Sequence, residues 1–215
     1  MSAHVFIDLD GTLTDSAPGI TAAILFALET LDVPAPDEAG LRACIGPSLQ
    51  ESFPRLGVPE VHCARALKLY RQHYMDRGVY DARVYDGAAE MLASLRDMGF
   101  RLALATAKPI AYAVKITEHF QLAQFLDAEF GSELDGLRAD KIDLLKYCLE
   151  QTGGDASRSF MLGDRLHDAR GALANGVTPI GALWGFGGQA ELEAAGVAAI
   201  AAAPSDVSGI VEGLR

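Results

Sequence analysis

Two carboxylates close a stretch that reads as buried. Val5-Phe6-Ile7-Asp8-Leu9-Asp10-Gly11-Thr12-Leu13-Thr14 opens on apolar, β-branched residues, which predict an inner strand from Val5 to Leu9. Side chains on a strand repeat every second residue, so Asp8 and Asp10 share one face, about 6–7 Å apart. Like charges that close raise each other's pKa unless a cation lies between them. A hard divalent ion with oxygen ligands is the simplest remedy, and Mg²⁺ is the common choice where phosphate is also present. Gly11 lets the chain turn and keeps its backbone open to a ligand. Asp-Gly is also ordinary turn chemistry. Four specified residues at roughly 5% usage each recur by chance about once in 10⁵ starts, which disfavours that reading for the whole motif.

Asp8-Leu9-Asp10-Gly11-Thr12 resembles the first motif of the haloacid dehalogenase superfamily, most of whose members are phosphatases. Ala105-Thr106-Ala107-Lys108-Pro109 resembles its second motif, Lys141 its third, and Gly163-Asp164-Arg165-Leu166-His167-Asp168 its fourth. The likeness spans essentially the whole chain. It implies that Asp8 is a nucleophile forming an aspartyl-phosphate, and that Asp10 is first general acid, then general base. The dehalogenase branch lacks an acid at the Asp10 position, so phosphate chemistry is favoured over carbon–halogen cleavage. Thr106 and the Ala107 backbone N–H match the phosphate-binding positions, at what reads as a helix start. Lys141 supplies a fixed positive charge to the phosphoryl group and holds Asp8. Mg²⁺ is implied on Asp8, the Asp10 carbonyl and Asp164, with Asp168 supporting them from behind or acting through water. Asp164 and Asp168 also suit a helix's first turn. Lys108 either faces phosphate or is a solvated lysine. Lys146 reads as solvated, Arg138 has no place in the scheme, and His167 reads as a surface or supporting residue.

A narrower likeness, to phosphoglycolate phosphatases and bacterial 5′-nucleotidases, rests on Leu13-Thr14-Asp15-Ser16, Ile45–Leu49, Gly171, Asn175-Gly176 and Trp184-Gly185. The substrate is then a small phosphate ester, phosphoglycolate-like or a nucleoside 5′-monophosphate. A phosphomutase of the β-phosphoglucomutase type is the alternative, with His62, His73 and Asp76 as candidates for retaining an intermediate. A non-catalytic phosphoryl-binding module is disfavoured by the presence of Asp8, Asp10 and Lys141. Phosphonate cleavage would require a lysine such as Lys68, which sits in an ordinary amphipathic pattern.

These residues need a scaffold that gathers them. From Val84 onward strands and helices alternate: strands at 100–105, 128–130, 159–162, 177–180 and, as an edge, 198–201; helices at 87–98, 109–126, 140–151, 168–175 and 204–214. Such alternation predicts a doubly wound, mostly parallel sheet with a Rossmann-like core. Ligands in that class lie beyond the carboxyl ends of the strands, where Asp8, Asp10, Thr106 and Asp164 fall. Between Asp15 and Arg83 the periodicity is helical, with Ser48-Leu49-Gln50-Glu51 as a capping box. The expected organisation is therefore an α/β catalytic core of residues 1–14 and 84–215, with an all-helical cap of residues 15–83 inserted into it. Arg42, Gly46, Ser48 and Arg55 are its candidates for contacting substrate.

Bulk properties narrow the partners. Lys plus Arg number 18 and Asp plus Glu 29, a net charge of −11, which argues against nucleic-acid polymers and anionic membranes. The chain's 215 residues suffice for a sizeable core with an insertion. Cys44, Cys63 and Cys148 are far apart and odd in number, as in a reduced cytoplasmic protein. No apolar run is long enough for a membrane span. A monomer and a homodimer fit equally well.

Overall fold

The computed structural model describes residues 3–215. They divide into two compact units, Asp15–Arg83 and the remainder. The larger unit is built on a six-stranded sheet in the order β5-β4-β1-β6-β7-β8. Its strands are β1 (His4–Ile7), β4 (Arg101–Pro109), β5 (Ala128–Ser132), β6 (Phe160–Gly163), β7 (Thr178–Ala182) and β8 (Ala199–Ala201). Every pairing is parallel. Two short strands, β2 (Thr14–Asp15) and β3 (Arg83–Val84), mark where the chain passes between units.

Helices α5 (Ala88–Asp97), α6 (Ile110–His119), α7 (Lys141–Thr152), α8 (Leu166–Ala174), α9 (Gln189–Ala195) and α10 (Val207–Gly213) complete this unit. Phe6, Ala103, Ala105 and Met161 form one cluster with Leu144, Leu145 and Cys148 of α7 and Ala172 of α8. Leu102 and Leu104, which alternate with Ala103 and Ala105, are buried as well. Burial on both faces is why these strands read as unbroken apolar runs. The doubly wound α/β expectation holds.

Sheet order fixes where chemistry can sit. The chain runs outward from β1 through β4 to β5, then returns to the other side for β6, β7 and β8. The order reverses at β1, so the crevice for a ligand lies beyond the carboxyl ends of β1, β4 and β6. Ile7 is level with Leu104 on one side and Leu162 on the other. Asp8, Thr106 and Asp164 thus leave three adjacent strands within a rung of one another.

The smaller unit contains α1 (Ala17–Thr30), α2 (Glu38–Arg42), α3 (Leu49–Arg55) and α4 (Glu60–His73), followed by a π turn at Tyr74–Gly78. Asp37 caps α2, accepting from the Gly40 N–H at 2.8 Å. The expected capping box at Ser48 is corrected in part: α3 does start there, but the Ser48 side chain caps nothing. Its hydroxyl was expected on a backbone N–H; instead its carbonyl takes the N–H groups of Glu51 and Ser52. Asp15 and Arg83, the first and last residues of this unit, lie in strands and pair at 3.1 Å, so the segment is not helical to its ends.

Other boundaries shifted for local reasons. Strand β4 runs to Pro109, because a register irregularity between Thr106 and Pro109 lets it continue beside β5 past the apolar run. The helix expected from Pro109 stops at His119, where Gln121 takes a positive φ of 58° and a 3₁₀ turn follows at Ala123–Phe125. Helix α9 was not anticipated, since Gly-rich flanks and the alanines beside it masked its period.

Candidate active site

Gly11 is where the site begins. Strand β1 ends at Ile7, and the backbone N–H of Asp8 still reaches the Leu162 carbonyl at 3.0 Å. The chain then coils on itself: the N–H groups of Leu13 and Thr14 both donate to the Leu9 carbonyl at 2.9 Å. Gly11 takes a φ of 84°, open to glycine with little strain. A methyl group there would also stand 2.1 Å from Asp164 Oδ2. The turn therefore needs glycine twice over, for its backbone and for its neighbour.

Asp8, Asp164 and Asp168 come together. One carboxylate oxygen from each lies within 4.8 Å of the others, and all three residues are buried. Lys141 stands against them, its Nζ 3.0 Å from Asp8 Oδ1 and 2.6 Å from Asp168 Oδ1. The ammonium also donates to the Ala105 carbonyl at 2.8 Å. Lys141 is the first residue of α7, where the helix dipole disfavours a cation. Its acidic neighbours account for that placement.

The electrostatics follow from burial. Burial is the largest influence on Asp8 and pushes it up to about 6; Lys141 pulls it down, while Asp168 and Asp10 push it further up. Asp164 rises well above the carboxylate range through burial first, then through Asp168 and Asp8. Burial alone would lower Lys141, but Asp168 and Asp8 outweigh it and hold the ammonium above its ordinary value. Burial also lowers His167, which lies half-buried between the two acids and has no role in this geometry.

Asp168 serves two structures. Its Oδ2 accepts the Arg165 N–H at 3.1 Å and so caps α8, while Oδ1 faces Lys141. Helix capping and membership of the acidic cluster both apply. Gly163 makes room for it: a methyl group there would lie 2.2 Å from the Asp168 Cγ.

Asp10 lies outside this trio and meets Lys108, with Nζ 2.6 Å from Oδ2. Both side chains are mostly buried, at 6% and 13% exposure, which overturns the solvated-lysine reading. The β4 extension is responsible, since it carries Lys108 inward beside β1. Thr106 is buried, and its Oγ1 accepts the Lys108 N–H at 3.2 Å. The helix start expected at Thr106 and Ala107 is also corrected. Helix α6 begins at Ile110, so both residues belong to extended chain. Lys146 is exposed, as expected. Arg138 pairs with Glu133 and covers the Tyr147 ring at 4.4 Å, which explains why the motifs had no place for it.

One element was marked in the sequence only as part of a likeness, at Trp184-Gly185, and its role was not read. The segment after β7, Leu183–Gly188, locks the acidic loops together. The Phe186 N–H donates to Asp164 Oδ2 at 2.7 Å, and Trp184 Nε1 donates to the Thr12 carbonyl at 3.0 Å. A methyl group on Gly185 would lie 2.3 Å from both Asp164 Cβ and the Gly11 carbonyl oxygen. The signal was present as Trp184-Gly185-Phe186-Gly187-Gly188 directly after a strand. Further out, Glu191 of α9 accepts from Arg165 Nε at 2.8 Å and the Leu166 N–H at 2.9 Å, steadying the start of α8.

The residues fit a divalent cation. Asp164 Oδ1 is a buried oxygen with no hydrogen-bond partner. Three carboxylates, Asp8, Asp164 and Asp168, face one ammonium group, Lys141, while Asp10 and Lys108 pair apart from them. The formal excess of two negative charges matches one divalent ion, and oxygen-only donors suit a hard one.

The candidate residues of the smaller unit are described within it. Arg42 and Arg55 are exposed, Arg55 lying 3.8 Å from Glu51, and Gly46 takes a φ of 105° just before Ser48. No helix of the described residues is long and apolar enough to cross a membrane.

This chain is similar to known proteins. A 5′-nucleotidase of Pseudomonas aeruginosa is 42% identical over 192 residues, 89% of this chain and 87% of that protein. The tyrosine-protein kinase PtkA of Mycobacterium tuberculosis is 38% identical over 183 residues, 85% of this chain and 62% of that protein. A solved structure from Clostridium acetobutylicum, described as a predicted phosphatase, has a TM-score of 0.93 at 37% identity, covering 99% of each chain. Residues 5–182 match the family described as haloacid dehalogenase-like hydrolase. With that match over most of its length, the chain belongs to the haloacid dehalogenase-like hydrolase family.

Proposed function

We propose that this hydrolase is a Mg²⁺-dependent phosphomonoesterase that works through an aspartyl-phosphate on Asp8, with a nucleoside 5′-monophosphate as the favoured substrate and phosphoglycolate as the next. One observation carries the reading: Lys141 bridges Asp8 and Asp168 beside Asp164, in the crevice where the strand order reverses. The relative named 5′-nucleotidase supports the choice of substrate.

Asp8, Asp164 and the Asp10 carbonyl are assigned to the ion, with Asp168 behind them. Bound there, Mg²⁺ would neutralise phosphoryl charge and favour the ionised forms of Asp8 and Asp164, which burial disfavours. Lys141 and the Leu9 N–H, 2.8 Å away, hold Asp8 Oδ1, which leaves Oδ2 to attack phosphorus. As that bond forms, the ester P–O bond breaks, and the Asp10 carboxyl gives its proton to the departing oxygen. Asp10, now a carboxylate, takes a proton from water as the water oxygen attacks phosphorus. The aspartyl bond breaks, releasing phosphate and regenerating Asp8. Thr106 and the Ala107 N–H are assigned to the phosphoryl oxygens and Lys141 to their charge. The unit Asp15–Arg83 is assigned the choice of leaving group, with Arg42, Gly46, Ser48 and Arg55 as its candidates.

The test is phosphate release from AMP, phosphoglycolate and p-nitrophenyl phosphate, with Mg²⁺ or with chelator. Asp8→Asn is expected to lower kcat by at least about 10⁴-fold. Turnover unchanged in that variant sinks the mechanism. With a hexose 1-phosphate supplied as well, an isomerised hexose phosphate in place of free phosphate would indicate a mutase. Phosphotyrosine formed from ATP would align the chain with PtkA and overturn the hydrolytic reading.

A further inference from the structure

Lys108 is a buried cation that the mechanism above leaves without a task. Its ammonium lies 2.6 Å from Asp10 Oδ2, and the other oxygen, Oδ1, is buried with no hydrogen-bond partner. A carboxylate held at one oxygen by a fixed charge loses its freedom to swing, and its two oxygens cease to be equivalent. We propose that Lys108 positions Asp10, clamping Oδ2 so that Oδ1 alone carries the proton to the leaving oxygen and later receives one from water. The inference rests on Asp10 being the acid–base group of the proposed function.

Three features set the clamp. Strand β4 continues to Pro109 past its irregular register, carrying Lys108 beyond Thr106. The Lys108 backbone N–H is tied to Thr106 Oγ1 at 3.2 Å, so clamp and threonine are held as one piece. The Lys108 side chain is 6% exposed, so its charge acts with little screening by water. Asp10 lies past the end of β1 at Ile7, its backbone bridged to Thr14 in the turn, which leaves its carboxyl group to be set by Lys108.

A positioning role predicts a leaving-group signature. An alkoxide departs poorly and needs the proton, whereas p-nitrophenolate departs without it. The value of kcat/KM reports the steps up to aspartyl-phosphate formation, so it isolates the first proton transfer. In Lys108→Met, kcat/KM is expected to fall about 10²-fold for AMP or an alkyl phosphate, and less than about threefold for p-nitrophenyl phosphate. Asp10→Asn is expected to show the same selectivity, and Lys108→Met added to it should cost nothing further. The double variant also removes both members of the buried pair, so it keeps the cycle measurable if Lys108→Met alone folds poorly. Lys108→Arg should recover part of the AMP rate.

Equal losses for all three esters, with KM raised and the loss persisting in the Asp10→Asn background, would place Lys108 on the phosphoryl group and overturn the proposal. Full AMP activity in Lys108→Met overturns it too. If Asp10→Asn itself shows no leaving-group dependence, the acid–base assignment fails first, and that outcome is distinct from failure of the clamp.

Discussion

Lys141 illustrates how little freedom one side chain can have. Its ammonium pairs with two carboxylates that otherwise repel each other and donates to a backbone carbonyl. Removing one partner of a buried ion pair strands the rest, typically at about 3–5 kcal/mol. Lys141→Met is therefore expected to lower stability by about that much in denaturant melts, and to reduce kcat by about 10²–10³-fold through loss of the charge facing the phosphoryl group. If activity falls while the melt is unchanged, Lys141 serves chemistry alone, and the structural half of this account is wrong. Cys148 is the contrasting case. Burial pushes its thiol up to about 12, and it packs in the cluster with Leu144 and Leu145 as a small apolar group. It is expected to resist thiol reagents in the folded protein.

At the scale of elements, loops from separate strands hold one another. The turn after β1, the start of α8 and the segment after β7 meet at Asp164, and the glycines between them leave no space for a methyl group. Gly185→Ala would force an added carbon to within 2.3 Å of Asp164 Cβ and of a backbone oxygen, neither of which can yield easily. Overpacking of this kind costs about 1–3 kcal/mol. The expected outcome is a lower melting point together with weaker Mg²⁺ affinity in calorimetry, because Asp164 is the residue displaced. Unchanged affinity would show that the loop after β7 does not govern the acidic cluster. Away from the site, Leu144→Ala in the α7 face of the core is expected to cost about 2–5 kcal/mol while leaving KM unaltered.

For the whole molecule, the buried acids make stability depend on pH and on metal together. Asp8 is raised to about 6 and Asp164 well above the carboxylate range, each chiefly by burial. An acid whose folded pKa exceeds its unfolded pKa weakens folding while ionised and is relieved as it takes up a proton. That relief runs from about pH 6 down to the unfolded value near 3.8. With chelator present, the melting temperature is therefore expected to rise between pH 7 and pH 5. Glu191 and Asp127 act oppositely: burial would raise both, but Arg165 with the Leu166 N–H holds Glu191 low, and the Leu102 N–H with Arg101 holds Asp127 low. Their contribution is present above the ordinary values of 4.5 and 3.8 and is lost only below them, as pH falls through the folded pKa values. Mg²⁺ is expected to reverse the upper trend, because binding it requires ionised carboxylates; at about 100 times its Kd it should add about 2.7 kcal/mol at pH 7. Asp164→Asn is expected to raise the metal-free melting temperature and abolish the Mg²⁺ gain. Burial of His167 acts against this rise, since with its lowered pKa stability is lost as pH falls through 6.5; in His167→Asn, with chelator, stability flat between pH 7 and pH 5 would contradict the burial of these acids.

The sequence alone determined the fold class and the family, because both depend on local pattern: apolar runs alternating with helical periods, and acidic pairs at fixed spacing after a strand. It marked Asp8, Asp10, Thr106, Lys141, Asp164 and Asp168 as candidates by residue type and spacing. What it did not contain was who meets whom across the sheet. That Lys108 turns inward to Asp10, that α6 begins only at Ile110, and that the Phe186 N–H reaches Asp164 all follow from parallel strands set side by side in one register. Contacts of that kind join residues 98 and 22 positions apart. No local rule encodes such separations; only packing the strands brings those groups within reach.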